Sequence, residues 1–437
     1  MSRFSLLCGC ALVLAPVPAF AGNDDGVLVG SEAAVTAGAL TATVSSGAAL
    51  WYNPAGLAHY NEHKLDMGGT AMNIRLYRAP SAVVTDQGEA GELRVNDIVF
   101  IPPAATVVWP IGGRHRFLGV GALTTSFSES LSRTNFVSPR PDGNELSVSL
   151  WREVRYALYH VPVGYAVELT PNLSVGVTLQ GVVASQHESW GVGLIIRDPS
   201  TGASSDVNTN SGFYSELGLG LRASLGFQWR LARHWSIGAS ALSPSYMFFR
   251  STIEEGIQVT TLDDGTQSTL PTSEESRELG LARFEPLRVR FGVAHLLDFG
   301  WISAEGDFST PRTDEYFRRS AGWVYNARLG AYMKVSPGWL VGGGVFTDRQ
   351  NFTGPLPPGE YRINYAGATL GARWSNDGLA RGQDLEFGIT LAPRYAYGEG
   401  KVGAIITDSA EASVASVTDA DAVHHEIGLY WGTDLIW

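Results

Sequence analysis

The side chains able to do chemistry are few and scattered along this chain of 437 residues. His160, His187 and His295 stand far apart, so a Ser/His pair for acyl transfer could form only between distant segments. No Gly-x-Ser-x-Gly elbow supplies a nucleophile locally. His424 and His425 offer two adjacent imidazoles, but no further ligand spacing makes them a metal site. Gly398-Glu399-Gly400-Lys401-Val402-Gly403 has the glycine spacing of a dinucleotide loop. No helix or parallel strand unit follows it, so it reads as a flexible external loop. Lone histidines are more often structural than catalytic, and neither a cofactor nor a metal is implied.

The most specific stretch is Leu50-Trp51-Tyr52-Asn53-Pro54-Ala55-Gly56-Leu57-Ala58, which follows a small-residue run from Ala33 to Ala49. Alone it reads equally well as a short helix ending in an Asn-Pro turn. Ser31, Glu32 and the Ala-rich run predict a capped helix, broken at Ser45-Ser46-Gly47. Residues 22–62 are too few to build a core of their own and must bury themselves against something else.

From Lys64 onward the hydrophobic period is two. Alternation and turn signals predict about fourteen strands, near 64–77, 104–111, 116–128, 156–169, 172–197, 211–231, 234–252, 283–297, 299–310, 322–335, 338–349, 361–376, 382–397 and 424–437. Tight connections at Gly112-Gly113, Thr170-Pro171-Asn172, Ala232-Arg233, Asp298-Phe299, Ser336-Pro337 and Asn376-Asp377-Gly378 alternate with long ones at 78–103, 129–155, 198–210, 253–282, 311–321, 350–360 and 398–423. Short periplasmic turns alternating with long external loops are the habit of an outer-membrane barrel. Leu217, Leu219, Leu221, Ala223, Leu225, Phe227 and Trp229 share one strand face, and Gly218, Gly220, Arg222, Ser224, Gly226, Gln228 and Arg230 the other. Trp109, Trp229, Trp235, Trp339 and Trp374 fall near strand ends, as interfacial girdles do. Strands longer than ~12 residues are long for a soluble sandwich. The fold class is therefore all-β: a transmembrane antiparallel barrel of about 14 strands (63–437) with a small N-terminal helical plug (22–62).

Composition agrees with this. Charged residues make up 17%, mean hydropathy is +0.01 and Gly is abundant at 51. No apolar run reaches the ~20 residues of a spanning helix, whereas a spanning strand needs only ~9–11. Residues 1–21 read as a secretory leader, with Arg3, an apolar core and Ala19-Phe20-Ala21 before a cleavage at Gly22. Both cysteines, Cys8 and Cys10, lie in that leader, so the mature chain has no disulfide framework. The net charge of −12 excludes a basic nucleic-acid surface. Acids cluster at Glu254-Glu255, Asp263-Asp264 and Glu274-Glu275, in predicted loops that either bridge to an anionic leaflet through divalent cations or form a plain solvated surface.

The leader, the Asn-Pro-Ala motif, the strand number and a last strand that ends on Trp437 together resemble FadL-type outer-membrane transporters, the family of long-chain fatty acid and TodX-like aromatic hydrocarbon carriers. Phrases such as Val161-Pro162-Val163-Gly164-Tyr165-Ala166 and Pro286-Leu287-Arg288-Val289-Arg290-Phe291-Gly292 extend the resemblance over the mature chain. The resemblance implies a monomer that takes a hydrophobic ligand from outside into the barrel. A hatch carrying Asn53, Pro54, Ala55 and Gly56 then shifts, and the ligand leaves sideways at a kinked third strand. That strand would be Phe117 to Ser128, with Gly119 and Gly121 as candidate kink points. Trp437 resembles the sorting signal read by the barrel assembly machinery. The other partners implied are outer-membrane lipid and lipopolysaccharide.

A fatty acid ligand calls for a cation, and alternation places Arg222, Arg288, Arg290, Arg328 and Lys334 in the lumen; Arg offers a bidentate fork for a carboxylate. The competing use of such residues is pairing with lumen acids such as Glu386. Two other function classes remain: a barrel displaying acidic loops as an adhesin or anchor, and a barrel lipid hydrolase.

Overall fold

The computed structural model describes residues 27–437, apart from 60–61, 86–87, 113–114, 141, 262–265, 284, 315–318, 351, 355, 357–358, 377–381, 383–384 and 409–412. The leader with Arg3, Cys8, Cys10 and its cleavage point lies outside the described residues. So do Asp263, Asp264, Gly113, Asp377 and Gly378.

Fourteen antiparallel strands close into a barrel. They are β1 Lys64–Thr85, β2 in two pieces (Ala90–Val99 and Ala104–Pro110), β3 Arg116–Pro139, β4 Glu145–Thr170, β5 Leu173–Arg197 and β6 Ser204–Ala232. Next come β7 (Trp235–Leu242 and Tyr246–Thr261), β8 (Gln267–Arg283 and Arg288–Leu297), β9 Gly300–Ser309, β10 Val324–Ser336, β11 Trp339–Asp348, β12 Tyr361–Ser375, β13 Glu386–Asp408 and β14 Ser413–Ile436. Closure runs from Lys64 opposite Ile436 to Arg78 opposite Val423. Past Ile436, the Trp437 ring stacks on His63. The three pieces Arg312–Asp314, Arg319–Ala321 and Phe352–Thr353 form a small separate sheet.

The period-two pattern sorts side chains by solvent. On β6, Leu217, Leu221, Leu225 and Trp229 point outward and are exposed, whereas Glu216, Arg222, Ser224 and Gln228 point inward and are buried. Trp229, Trp235, Trp339, Trp374 and Trp437 are exposed at the short-turn end, and Trp339 lies directly opposite Trp374. At the other end Phe308, Trp323 and Tyr325 form a second aromatic group. Two such belts bracket a membrane-spanning apolar band.

Several predicted long loops are strand. Residues 78–85 and 90–99, most of 129–155, most of 253–282, and 398–408 with 413–423 continue the ladders outward. Glu254, Glu255, Glu274 and Glu275 sit on the β7–β8 hairpin, and Gly398 to Gly403 lie within β13. In most of these extensions the apolar residues face inward, as Val83, Leu93, Leu146, Val148 and Ile405 do, whereas Gln267–Arg283 is polar and exposed on both faces.

The described plug residues, 27–59, lie inside the barrel. They form α1 (Ser31–Val35), α2 (Ala49–Tyr52) and a 3-10 turn (Pro54–His59). Ser31 is the first helical residue and not a cap; Gly30 occupies the cap position at φ 86°, with no side-chain cap bond. The plug fits because both sides of the contact are small. A Cβ at Gly226 would stand 2.0 Å from Asn53 Oδ1, and one at Gly238 would stand 2.0 Å from the Thr41 carbonyl. Glycine at these wall positions lets the plug backbone touch the wall directly.

Gly238→Ala should therefore loosen the plug by ~1–3 kcal/mol, the usual range for overpacking. Amide exchange over residues 40–44 should accelerate while heat-modifiable mobility persists. Gly306→Ala is the control: its Cβ would meet only the Asn326 carbonyl, at 3.9 Å, and it should change neither property.

Candidate functional site: a plug and a break in the wall

A plug inside a barrel must find partners for its peptide groups. Asn53 is the central one. Its Nδ2 donates to the carbonyls of Thr41 at 2.7 Å and of wall residue Phe227 at 2.9 Å, and its Oδ1 accepts from the Ala55 N–H at 3.2 Å. Pro54 and Ala55 press on Gly176, and Gly56 on Val44. Gln228 donates to the Thr41 and Val44 carbonyls, Ser236 to Ala42, Ser240 to Tyr52 and Gln180 to Leu50. Asp66 accepts from the Gly47 N–H at 3.0 Å.

The lumen cations join the same scaffold. Arg328 bonds Glu305 at 3.1 Å and Asp307 at 2.5 Å, and Arg288 bonds Asp307 at 3.2 Å. The second oxygen of Glu305 accepts the plug N–H groups of Leu40 at 3.0 Å and Thr41 at 2.8 Å. Arg290 donates to the Trp51 carbonyl at 2.7 Å and lies over the Trp51 and Tyr52 rings. Arg222 bonds Glu285 at 2.6 Å and the carbonyls of Ser243 and Pro286, where β7 and β8 break. Lys334 follows Arg328 and Tyr332 on the inward-facing positions of β10 but is exposed at the short-turn end, beside the β10–β11 turn. Glu386 pairs with Arg373. Sequence reasoning passed over Glu305, Asp307 and Glu285. The tight turn at Asp298-Phe299 could have found Asp307, because it sets Arg290 opposite Asp307 in register.

The wall itself is interrupted between β2 and β3. Pairing runs from Pro110 opposite Phe117 to Ala105 opposite Ala122, and then ceases. It returns only at Arg94 opposite Arg133. The break starts where Phe100-Ile101-Pro102-Pro103 divides β2, and β3 bulges against β4 between Thr124 and Ser126. The ladder from β3 to β4 also lapses at Gly121 and Ala122, between the Val120–Val163 and Leu123–His160 pairs, so the irregularity begins at Gly121 and leaves Gly119 in register. Gly119 faces Leu50 and Leu57 of the plug, and Gly121 faces the Ala105 carbonyl across a regular ladder.

Side chains bridge the break instead of backbone. Arg75 donates to Ser128 Oγ and to the carbonyls of Phe127 and Glu129, and the Leu131 N–H donates to Asp97 at 2.9 Å. Behind the opening, Val27 of the plug packs with Val99, Ile101 and Phe127. Ile98 and Phe100 are exposed outside it.

Thr125, at the bulge, contacts His160 Nδ1 at 2.9 Å, and His160 Nε2 lies 3.5 Å from Glu285. This order of hydroxyl, imidazole and acid is that of a hydrolase triad. Yet Thr125 and His160 are buried, the Trp51 ring packs on His160, and Glu285 is held by Arg222. The other pairs are Ser215 with His187, exposed, and Ser174 with plug residue His59. His295 packs on Trp235. His424 contacts Tyr365, and His425 contacts Tyr395. An apolar groove over Gly176 and Gly226, lined by Tyr165, Val177, Leu225 and Val289, opens on the lipid side of the wall and not in the lumen.

No family model matches the chain, and no curated protein does. Solved structures match over nearly its whole length. A FadL homologue from Pseudomonas aeruginosa aligns with a TM-score of 0.64 at 12% identity, covering 93% of this chain and 98% of that one. The Pseudomonas putida toluene transporter TodX aligns at 0.61 and 14%, with 93% and 98% covered. The Ralstonia pickettii toluene transporter TbuX aligns at 0.55 and 12%, again with 93% and 98% covered. At these identities the likeness is one of fold, and the chain has the FadL-type fold.

Asn53→Ala leaves two carbonyls and one N–H without their partner and should cost the plug about 3 kcal/mol. Amide exchange at residues 54–59 should rise roughly a hundredfold in barrels that remain closed. The plug also carries a pH dependence. Burial, reinforced by Arg230, pushes His59 down from 6.5 to about 4. The folded state therefore binds fewer protons than the unfolded one, so its stabilisation is complete above 6.5 and is lost as pH falls toward 4. Exchange at 54–59 should accelerate across that window, and His59→Gln should flatten the profile.

Proposed function

We propose that this barrel is an outer-membrane channel for hydrophobic small molecules, which enter from outside and leave sideways between β2 and β3. The observation that carries the reading is the unpaired wall between Ala122 and Arg133, with apolar residues on both sides and Val27 behind it. Spanning walls pair every backbone group because lipid offers no substitute partner. A stretch held by Arg75 and Asp97 can open without breaking a continuous ladder.

The interior supports the same route. At the outer end Val83 meets Ile405 across β1 and β13, in a cluster with Leu146, Val148, Val192 and Leu194. Below it Tyr77, Leu93, Val95, Phe346, Ile363 and Tyr365 form a second apolar group reaching Ala37 of the plug. An apolar ligand gains roughly 0.8 kcal/mol per buried CH₂ on entering such surfaces. Straight passage is closed by the plug, which Asn53, Glu305 and Arg290 tie to the wall. Arg222, Arg288, Arg290 and Arg328 each engage protein groups, which favours an uncharged ligand over a carboxylate. In this reading Asn53, Pro54, Ala55 and Gly56 hold the hatch, and the four arginines set its resting position.

A second reading, lipid hydrolysis, rests on Thr125, His160 and Glu285. Burial beneath Trp51 weighs against it, since no substrate carbonyl could approach without displacing the plug.

The test uses a strain lacking its own carriers, supplied with labelled toluene or a labelled long-chain fatty acid. Val99→Cys paired with Phe127→Cys would staple the gap. Uptake should fall at least tenfold in the oxidised double variant and return on reduction, with toluene preferred by the native chain. Unchanged uptake through a fully stapled barrel would sink the lateral route. Lipid hydrolysis abolished by His160→Gln would favour the second reading.

A further inference from the structure

The outer face beside the wall break carries a charge pattern that transport does not need. Arg78 on β1 lies directly opposite Arg94 on β2, and Arg94 lies directly opposite Arg133 on β3. Three guanidinium groups thus stand in one row across three adjacent strands, at the rim where the gap closes. All three are exposed, Arg78 and Arg94 by more than 60% of their side chains. Like charges directly opposite on neighbouring strands are destabilising. Glu92, one step above the row, contacts both Arg78 and Arg94. Among the described residues no hydrogen bond or ion pair engages the Arg133 side chain. Of the other charged groups on this face, Asp421 on β14, one step above the residue opposite Arg78, pairs with Lys401 on β13, and Glu129 with Arg155 and also Glu153 lie below the row on β3 and β4. The row therefore holds more positive charge than the protein neutralises.

Its height defines what could neutralise it. At about 3.3 Å per residue and a tilt near 40°, Arg78 stands roughly 35 Å above the Lys64 end, past an apolar band about 25 Å tall. Below the row, Leu76 stands opposite the exposed Asn96, and the exposed apolar side chains Ile98 and Phe100 follow further down β2. Cations sit above and lipid-facing hydrophobes below, so the site is amphipathic in the sense of a lipid at the outer boundary. Arg matches phosphate through paired N–H donors.

We propose that Arg78, Arg94 and Arg133 form a binding site for the phosphate headgroup of an outer-leaflet glycolipid, whose acyl chains lie over Leu76, Ile98 and Phe100. Such a lipid would cover the outer side of the wall break and seal it to water when the gap is shut. The inference rests on insertion of the barrel in the membrane and is independent of what the channel carries.

The test is retention of bisphosphorylated lipid A by the full-length detergent-solubilised barrel, counted by native mass spectrometry. Dephosphorylated lipid A and inorganic phosphate serve as separate probes. Retention of the bisphosphorylated form should drop roughly a hundredfold in the Arg78→Gln, Arg94→Gln, Arg133→Gln triple variant, at ~1 kcal/mol per arginine. It should persist in the corresponding triple Lys variant and in Arg155→Gln, all of them remaining heat-modifiable. Equal retention of dephosphorylated lipid A, or by the triple Gln variant, would overturn the site. So would inorganic phosphate binding as tightly as the lipid, because the apolar half would then contribute nothing.

Discussion

Everything in this barrel answers to one constraint: the plug carries peptide groups into a space where water is scarce. Each buried N–H or C=O left alone costs on the order of 1–3 kcal/mol. The plug is made of small residues and has few polar side chains to meet that demand, so the wall supplies the partners. Gln180, Gln228, Ser236, Ser240, Arg290 and Glu305 reach inward to plug carbonyls and N–H groups. A carboxylate in that role needs a counter-charge, and Arg328, Asp307 and Arg288 follow from Glu305 in turn. The same closeness calls for glycine in the wall, as at Gly226 and Gly238.

The break in the wall has an equally local cause. Pro102 and Pro103 interrupt β2 and offer no N–H to a neighbouring strand. The ladder to β3 ceases beside them, and β3 bulges at Thr125. Arg75 then donates three bonds across the gap and keeps a further contact with Glu426 on β14. Pro244 and Pro286 mark the matching interruptions in β7 and β8, where Arg222 and Glu285 do the bridging. Proline opens the ladder and a buried arginine closes it with side-chain bonds. Side-chain bonds can be exchanged singly, whereas a ladder opens cooperatively. That difference makes these places the natural points of movement.

Much of this was legible in the sequence, for reasons that can be named. Alternation at Leu217 to Trp229 placed β6 because the bilayer sorts its two faces sharply. It lost β2 above Ala104, where Leu93, Val95 and Val99 are apolar inside and Ile98 and Phe100 are apolar outside, and β8 before Arg283, where both faces are polar and exposed. The stretch around Asn53 stands out in the sequence, but its bonding does not, since Thr41 and Phe227 are remote in sequence from each other. Alternation puts Arg222, Arg288, Arg290 and Arg328 on inward faces, where they are buried, but their partners depend on register. Lys334 keeps the alternation but is exposed, because alternation does not say where a strand nears its turn. Of the two glycines proposed as kink points, Gly119 stays in register, whereas the ladder to β4 lapses at Gly121 and Ala122 before β3 bulges at Thr125.

The most direct test of the lateral route is to ask where a passing ligand touches the wall. A photoactivatable hydrophobic probe would be taken up by cells carrying the barrel, irradiated during transport, and its adducts mapped by peptide mass spectrometry. A lateral exit should leave labels on Val99, Ile101, Phe127 and Val27, around the break between β2 and β3. Labels running down through the plug to Gly47, Asp66 and the short-turn end, with none at the break, would contradict it and place the exit through the barrel floor.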